Sequence, residues 1–216
     1  MYNLYLTVIF YLSFLFATFN AQAGVIYEQL PGANSSNLYV SSTLNNLGQS
    51  PGFRVADDFT LSASEMITDV HWWGRPNSGG DNFLFSFYAD GGGIPGSIMH
   101  TSGGSLSTTN VDVGSNFGPV NFYSSVLDSP FSANAGTTYW LSIFNQAQDA
   151  SWQWLSANAP GNGSRQWLNS GSPTSSNQIL NVAFQLTTVP EPSIFALLCI
   201  GAINLLAYNL QWRKFS

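Results

Sequence analysis

Between two continuous apolar runs, the chain alternates apolar and polar residues with period two. Such alternation sends successive side chains to opposite faces of a strand. β-branched and aromatic residues crowd the same segments. The pattern predicts strands over Val25–Gln29, Phe53–Leu61, Ile67–Gly74, Asn82–Ala89, Ile98–Thr101, Val120–Val126, Thr137–Phe144, Ser151–Leu155 and Leu180–Leu186. Turn-forming clusters separate them, among them Gly48-Gln49-Ser50-Pro51-Gly52, Asp90-Gly91-Gly92-Gly93 and Ala159-Pro160-Gly161-Asn162-Gly163. Within Asn82–Ala89, Phe83, Phe85 and Phe87 share one face and Leu84, Ser86 and Tyr88 the other. No part of this region has a helical period, and no internal repeat is visible. Short strands punctuated in this way predict an all-β fold, a single jelly-roll-like β-sandwich over Gly24–Thr188.

The apolar runs at either end read differently. Leu4 to Phe19 is followed by Asn20-Ala21-Gln22-Ala23-Gly24, and Ala21-x-Ala23 is the small-residue pattern of a signal-peptidase site. Residues 1–23 are therefore expected to be a signal peptide, with Gly24 the first residue of the mature chain. No Lys or Arg precedes the apolar run, so an uncleaved membrane anchor is the alternative. At the other end, Val189-Pro190-Glu191-Pro192-Ser193 precedes an apolar segment from Ile194 to Leu210. That segment, about 17 residues, reaches the lower limit for a helix that crosses a bilayer. Arg213 and Lys214, in the final segment 211–216, are placed to stay with cytoplasmic headgroups. The lone cysteine, Cys199, falls inside the apolar segment, so the body between the ends can form no internal disulfide.

Charge narrows the partners. The chain carries a net charge of −6. Arg54, Arg75 and Arg165 are the body's only Lys or Arg, whereas every acidic residue except Glu191 lies there. Nucleic acid is excluded as a partner, because phosphate binding needs clustered cations. Aromatic content of 15% argues against disorder.

Little in the body points to catalysis. His71 and His100 are the only candidate imidazole bases, and no Gly-x-Ser-x-Gly elbow is present. Asp57 and Asp58 are adjacent, so on a strand they are expected to face opposite ways and not to share a substrate. Zinc lacks its usual ligands and spacing. Calcium would draw on oxygen donors, with Asp57, Asp58, Asp81 and Asp90 the candidates. No other cofactor is expected. The tryptophans offer a stronger lead, since exposed indole rings stack on sugars. Trp72 and Trp73 should face opposite ways, and Trp152 and Trp154 the same way, which makes these four the candidate glycan-binding residues.

The Pro190-Glu191-Pro192 triplet, apolar span and basic end together resemble the PEP-CTERM sorting signal of exported bacterial proteins. Body phrases such as Val55-Ala56-Asp57-Asp58-Phe59, Ile67 to Gly74, Phe87 to Ser97 and Gly136 to Ile143 resemble ectodomains found with that signal. The resemblance implies signal peptidase and an exosortase-type transpeptidase as processing partners. It also implies a stay in the cell-envelope membrane, held by the C-terminal helix until processing, then a final place at the cell surface or in its polysaccharide matrix. The resulting expectation is a signal peptide at 1–23, an ectodomain at 24–188 and a sorting signal at 189–216, made of motif 189–193, span 194–210 and cytoplasmic tail 211–216. Its expected role is that of a non-enzymatic surface or matrix protein linked to exopolysaccharide and biofilm. A carbohydrate-binding module and a secreted glycan hydrolase are the alternatives.

Overall fold

The computed structural model describes residues 24–45, 47–75, 80–148, 150–158 and 163–188. Ala21, Ala23, the Pro190-Glu191-Pro192 motif and the apolar segment 194–210 lie outside the described residues. Among the described residues no helix is long and apolar enough to cross a membrane.

Strands follow one another as β1 (Gly24–Gln29), β2 (Leu38–Val40), β3 (Phe53–Thr60), β4 (Glu65–Arg75), β5 (Phe83–Asp90), β6 (Pro95–Ser102), β7 (Gly104–Val111) and β8 (Val120–Ala133). Then come β9 (Thr138–Asn145), β10 (Gln153–Leu155), β11 (Arg165–Leu168), a 3-10 turn over Pro173–Ser175, β12 (Asn177–Gln178) and β13 (Phe184–Thr188). The fold is all-β, as the alternation predicts.

The strands form two sheets. In the seven-stranded sheet, β4 pairs with β13 and β10 along one edge and with β8 along the other. β1 lies beyond β13, β2 beyond β10, and β7 beyond β8. The six-stranded sheet runs β12-β11-β3-β9-β5-β6. Both sheets send side chains into one core. Phe83, Phe85, Phe87, Val55, Phe59, Leu141 and Ile143 come from the six-stranded sheet; Val70, Trp72, Tyr123, Trp154, Phe184 and Leu186 come from the other. The Phe83-Phe85-Phe87 face is thus the core face, as its spacing predicts.

At the centre, Trp72 stacks on Tyr123 with centroids 5.3 Å apart and meets Phe83 edge-on at 5.0 Å. Offset and edge-to-face pairs of this kind add to the area that each ring buries. The backbones come close here: a Cβ on Gly74 would lie 2.5 Å from Trp152 Cζ2 and 2.6 Å from Gln153 O. Glycine at position 74 is what lets β10 approach β4.

The outer face of the six-stranded sheet is covered as well. Ala56, Tyr88, Trp140 and Trp167 form a second apolar cluster there. The 3-10 turn after β11 approaches β6, the strand at the opposite edge of the sheet.

Candidate functional site

All four tryptophans singled out for glycan binding are buried. Trp72, Trp152 and Trp154 have no exposed surface, and Trp73 is 8% exposed. Trp72 and Trp73 do face opposite ways, but Trp73 packs with Val120, Leu155 and Ala183 in a small cluster of its own. Trp140 and Trp167 are buried in the cluster with Ala56 and Tyr88. The expectation of an exposed indole platform is therefore corrected: both faces available to these rings are covered, one by the opposite sheet and the other by loops and side chains.

The open surface lies on the outer face of the seven-stranded sheet. Asp69 and His71 alternate along β4, and register places Val126 and Ser124 of β8 opposite them. Ser105 and Ser107 of β7 follow in the same rows. These residues, with Leu106 and Ser125, line a shallow cleft of about 170 Å³. Ligand pockets for larger molecules occupy roughly 300–1,000 Å³, so this one suits a single small polar group. Asp69 Oδ2 accepts from Thr68 Oγ1 at 2.6 Å. The His71 ring meets Phe122 edge-on at 5.5 Å. Asp69, His71 and Ser124 thus share one face of the sheet, His71 and Ser124 in one row and Asp69 in the next. No hydrogen bond joins His71 to either of the others among the described residues, so the three make no assembled nucleophile-base pair. The arrangement offers hydroxyl, imidazole and carboxylate groups beside an aromatic edge, which is hydrogen-bonding chemistry. His100 is engaged elsewhere: its Nε2 donates to Ser129 O at 2.8 Å and its ring stacks on Phe131.

The acidic candidates divide among separate places. Asp81 precedes β5 and accepts from Asn145 Nδ2 at 3.2 Å; burial raises its carboxyl against that hydrogen bond. Asp90 closes the same strand, roughly 25 Å away at the rise of a β-strand. It accepts from Trp140 Nε1 and Gly93 N, both at 2.9 Å, and the Trp140 bond leads in lowering its pKa.

Asp57 and Asp58 behave unexpectedly. Alternation sends the Asp57 side chain inward beside Leu141, with the Asp58 side chain outward beside Trp140. β11 begins at Arg165 opposite Ala56, so the chain before it, Gly163-Ser164, passes the two acids without pairing. Asp57 Oδ1 turns back to accept from Asp58 N at 3.0 Å. A Cβ on Gly163 would meet Asp58 Oδ1 at 2.6 Å, Asn181 Oδ1 at 2.9 Å and Asp57 Oδ1 at 3.4 Å. The expectation that these carboxylates stay apart is therefore corrected: at the frayed end of a strand pair, both reach around to the same glycine. Asp57 is fully buried, and desolvation pushes its carboxyl up to about 7 despite the hydrogen bond from Val182 N. Asp57 is enclosed and Asp58 only partly exposed, so the pair does not flank an open cleft.

No family model, curated protein or solved structure matches the chain.

Proposed function

We propose that this is an exported bacterial surface or extracellular-matrix protein, sorted through residues 189–216 by an exosortase-type transpeptidase and linked to exopolysaccharide or biofilm. Its body serves by binding and structure, not by catalysis. The observation that supports this reading is the all-β body itself. β1 opens at Gly24, directly after Ala21-x-Ala23, and β13 closes at Thr188, directly before Val189-Pro190. The described core residues, from both sheets, all lie between these two sequence features. The body is acidic and contains no cysteine, which suits a domain held by its core alone.

The finer architecture in this reading is a β-sandwich of jelly-roll type. Strand adjacency supports it. β2 pairs with β10, β3 with β9, β4 with β8 and β5 with β6, a nested series running from the outermost strands to the innermost. Alternate pairs fall in opposite sheets. A ribbon of nested antiparallel pairs rolled around a core is the topology of a jelly roll.

The sorting signal is tested in a host that carries the sorting enzyme. Replacing Pro190-Glu191-Pro192 with three alanines removes both prolines, residues that disfavour helix. Export should continue, while the protein accumulates in the membrane at its unprocessed mass. Trimming and release at the wild-type level would reduce the tail to a simple anchor. A second reading, a carbohydrate-binding module, is favoured by the polar cleft on β4, β7 and β8.

A further inference from the structure

We propose that β7 is a docking edge for a second copy of this chain, which adds its own β7 antiparallel and carries the seven-stranded sheet from one copy into the other. β7 spans eight residues and, among the described residues, pairs with β8 alone. Each of its residues is matched to β8 without a register shift. Its solvent side is therefore an unbroken row of main-chain donors and acceptors. Gly103 O accepts from Asp128 N, which fixes the phase of the ladder. In an antiparallel pair hydrogen-bonded positions alternate. Ser105, Ser107, Thr109 and Val111 therefore bond to β8, while Gly104, Leu106, Thr108 and Asn110 turn their N–H and C=O groups outward.

Open edges of this kind are normally guarded against pairing with another chain. The other edges of the two sheets are. β2 and β12 are three and two residues long. β1 carries Glu28. β6 begins at Pro95, and its register with β5 shifts twice. β7 has no proline, no bulge and no charge. The whole run from Gly91 to Val111 contains no Asp, Glu, Lys or Arg.

Charge and chemistry select the occupant. The chain carries a net charge of −6, so copies repel one another over most of their surface. β7 is an acid-free edge on an acidic body, where two copies can meet without setting like charges opposite each other. Its side chains are also self-complementary. Ser105, Ser107, Thr108 and Thr109 are exposed, and a hydroxyl both donates and accepts, so each can pair with a hydroxyl of the same strand in another copy. A foreign peptide added to a sheet edge is selected through pockets for its alternate side chains. β7 presents short polar side chains in their place.

Symmetry then sets the register. A twofold axis through the sheet pairs residue with residue reciprocally, and paired residues share a face. The register that engages all four outward-facing residues sets Gly104 opposite Asn110 of the second copy and Leu106 opposite Thr108, with about eight main-chain hydrogen bonds. Ser107 falls on the axis, opposite itself. Leu106, 39% exposed at the edge, gains cover from its new neighbour. The polar row of His71, Ser124 and Ser107 continues into the second copy. The two His71 positions then lie about 24 Å apart, across five strand spacings, on one shared face. One strand-to-strand contact is small beside the roughly 800 Å² per partner of a standard interface, so the pair belongs with weak, concentration-dependent dimers.

The test uses the full-length chain in mild detergent, with Cys199→Ala as the background so that an introduced thiol stands alone. Ser107→Cys sets two thiols on the axis, at a non-hydrogen-bonded pair where Cα atoms lie about 4.5 Å apart, within disulfide reach. Thr109→Cys is exposed on the same strand and face, but its counterpart in the second copy lies four residues away, roughly 13 Å along the strand. At about 100 µM protein with diamide as oxidant, Ser107→Cys should form the disulfide-linked dimer roughly tenfold faster than Thr109→Cys. Thr108→Pro deletes an outward N–H and no bond to β8. It should slow cross-linking through Ser107→Cys to the Thr109→Cys rate, with Tm held within about 3 °C. Equal rates at the two positions overturn the proposal and leave the edge to a different chain. Cross-linking unchanged by Thr108→Pro in a folded protein overturns it too. The comparison of the two cysteine variants does not depend on Thr108→Pro folding.

Discussion

Trp154 shows what a single residue contributes here. Its ring is fully buried against Trp152 and Phe184, and its Nε1 donates to Ala183 O at 2.8 Å. Removing the ring leaves a cavity and an unpaired carbonyl together. Trp154→Ala should destabilise the body by about 3–5 kcal/mol, read from denaturant unfolding. Trp154→Phe should recover part of that loss, because it refills the volume but not the hydrogen bond. A loss under about 1 kcal/mol, the size typical of an exposed position, would contradict the burial. The sequence shows that Trp152 and Trp154 share a face. It gives no sign that their face is closed, because closure depends on Phe83, Phe184 and Tyr123, which lie far away along the chain. Ring-rich strands look the same in sequence whether they form a sugar platform or a core.

At the scale of elements, alternation made the long strands legible and left the polar ones hidden. β3, β4, β5 and β9 follow their predicted spans closely because each has one face in the core. β7, Gly-Ser-Leu-Ser-Thr-Thr-Asn-Val, was not predicted: it is an exposed edge strand with a weak apolar face. β8 extends past Val126 to Ala133, through Pro130, a residue that usually argues against a strand. β2, β11 and β12 are short and were also missed, their pairing being set by partners distant in sequence. The polar cleft falls on one of these blind spots. Asp69 and His71 are visible on β4, but three of the eight lining residues come from β7. If the cleft binds a sugar, His71→Ala and Ser124→Ala should each cut retention on an immobilised glycan panel at least tenfold, with Tm held within about 2 °C, since both residues are only partly buried. Binding should also perturb tryptophan fluorescence, because Phe122 touches both His71 and Trp73. Retention equal to wild type in both variants would remove the cleft from any glycan site.

For the whole molecule, the buried acid Asp57 sets the direction in which stability responds to pH. Desolvation holds its folded-state pKa at about 7, above the value of roughly 3.9 expected for an unfolded Asp. Below the unfolded value, both states carry the proton. Between the two values the unfolded chain releases it while the folded chain keeps it. Folding stability is therefore fully present at low pH and is lost as pH rises towards 7, by at most about 1.4 kcal/mol per pH unit, with the loss levelling off above 7. Among the groups facing Asp57, Asp58 opposes its ionisation and Tyr27, itself raised by burial, carries no positive charge; Val182, Ser164 and Gln29 favour the carboxylate but do not offset its desolvation. Asp58 is also raised, by burial and by Asp90, with Arg165 working against the shift. Asp90 shifts the other way but is almost fully solvated, so its effect is screened. In EDTA, Tm should fall between pH 5 and pH 7.5. Asp57→Asn, neutral throughout, should flatten that profile. A Tm that rises across this window in EDTA would mean that Asp57 is ionised in the fold, held by donors stronger than Gln29 and Val182.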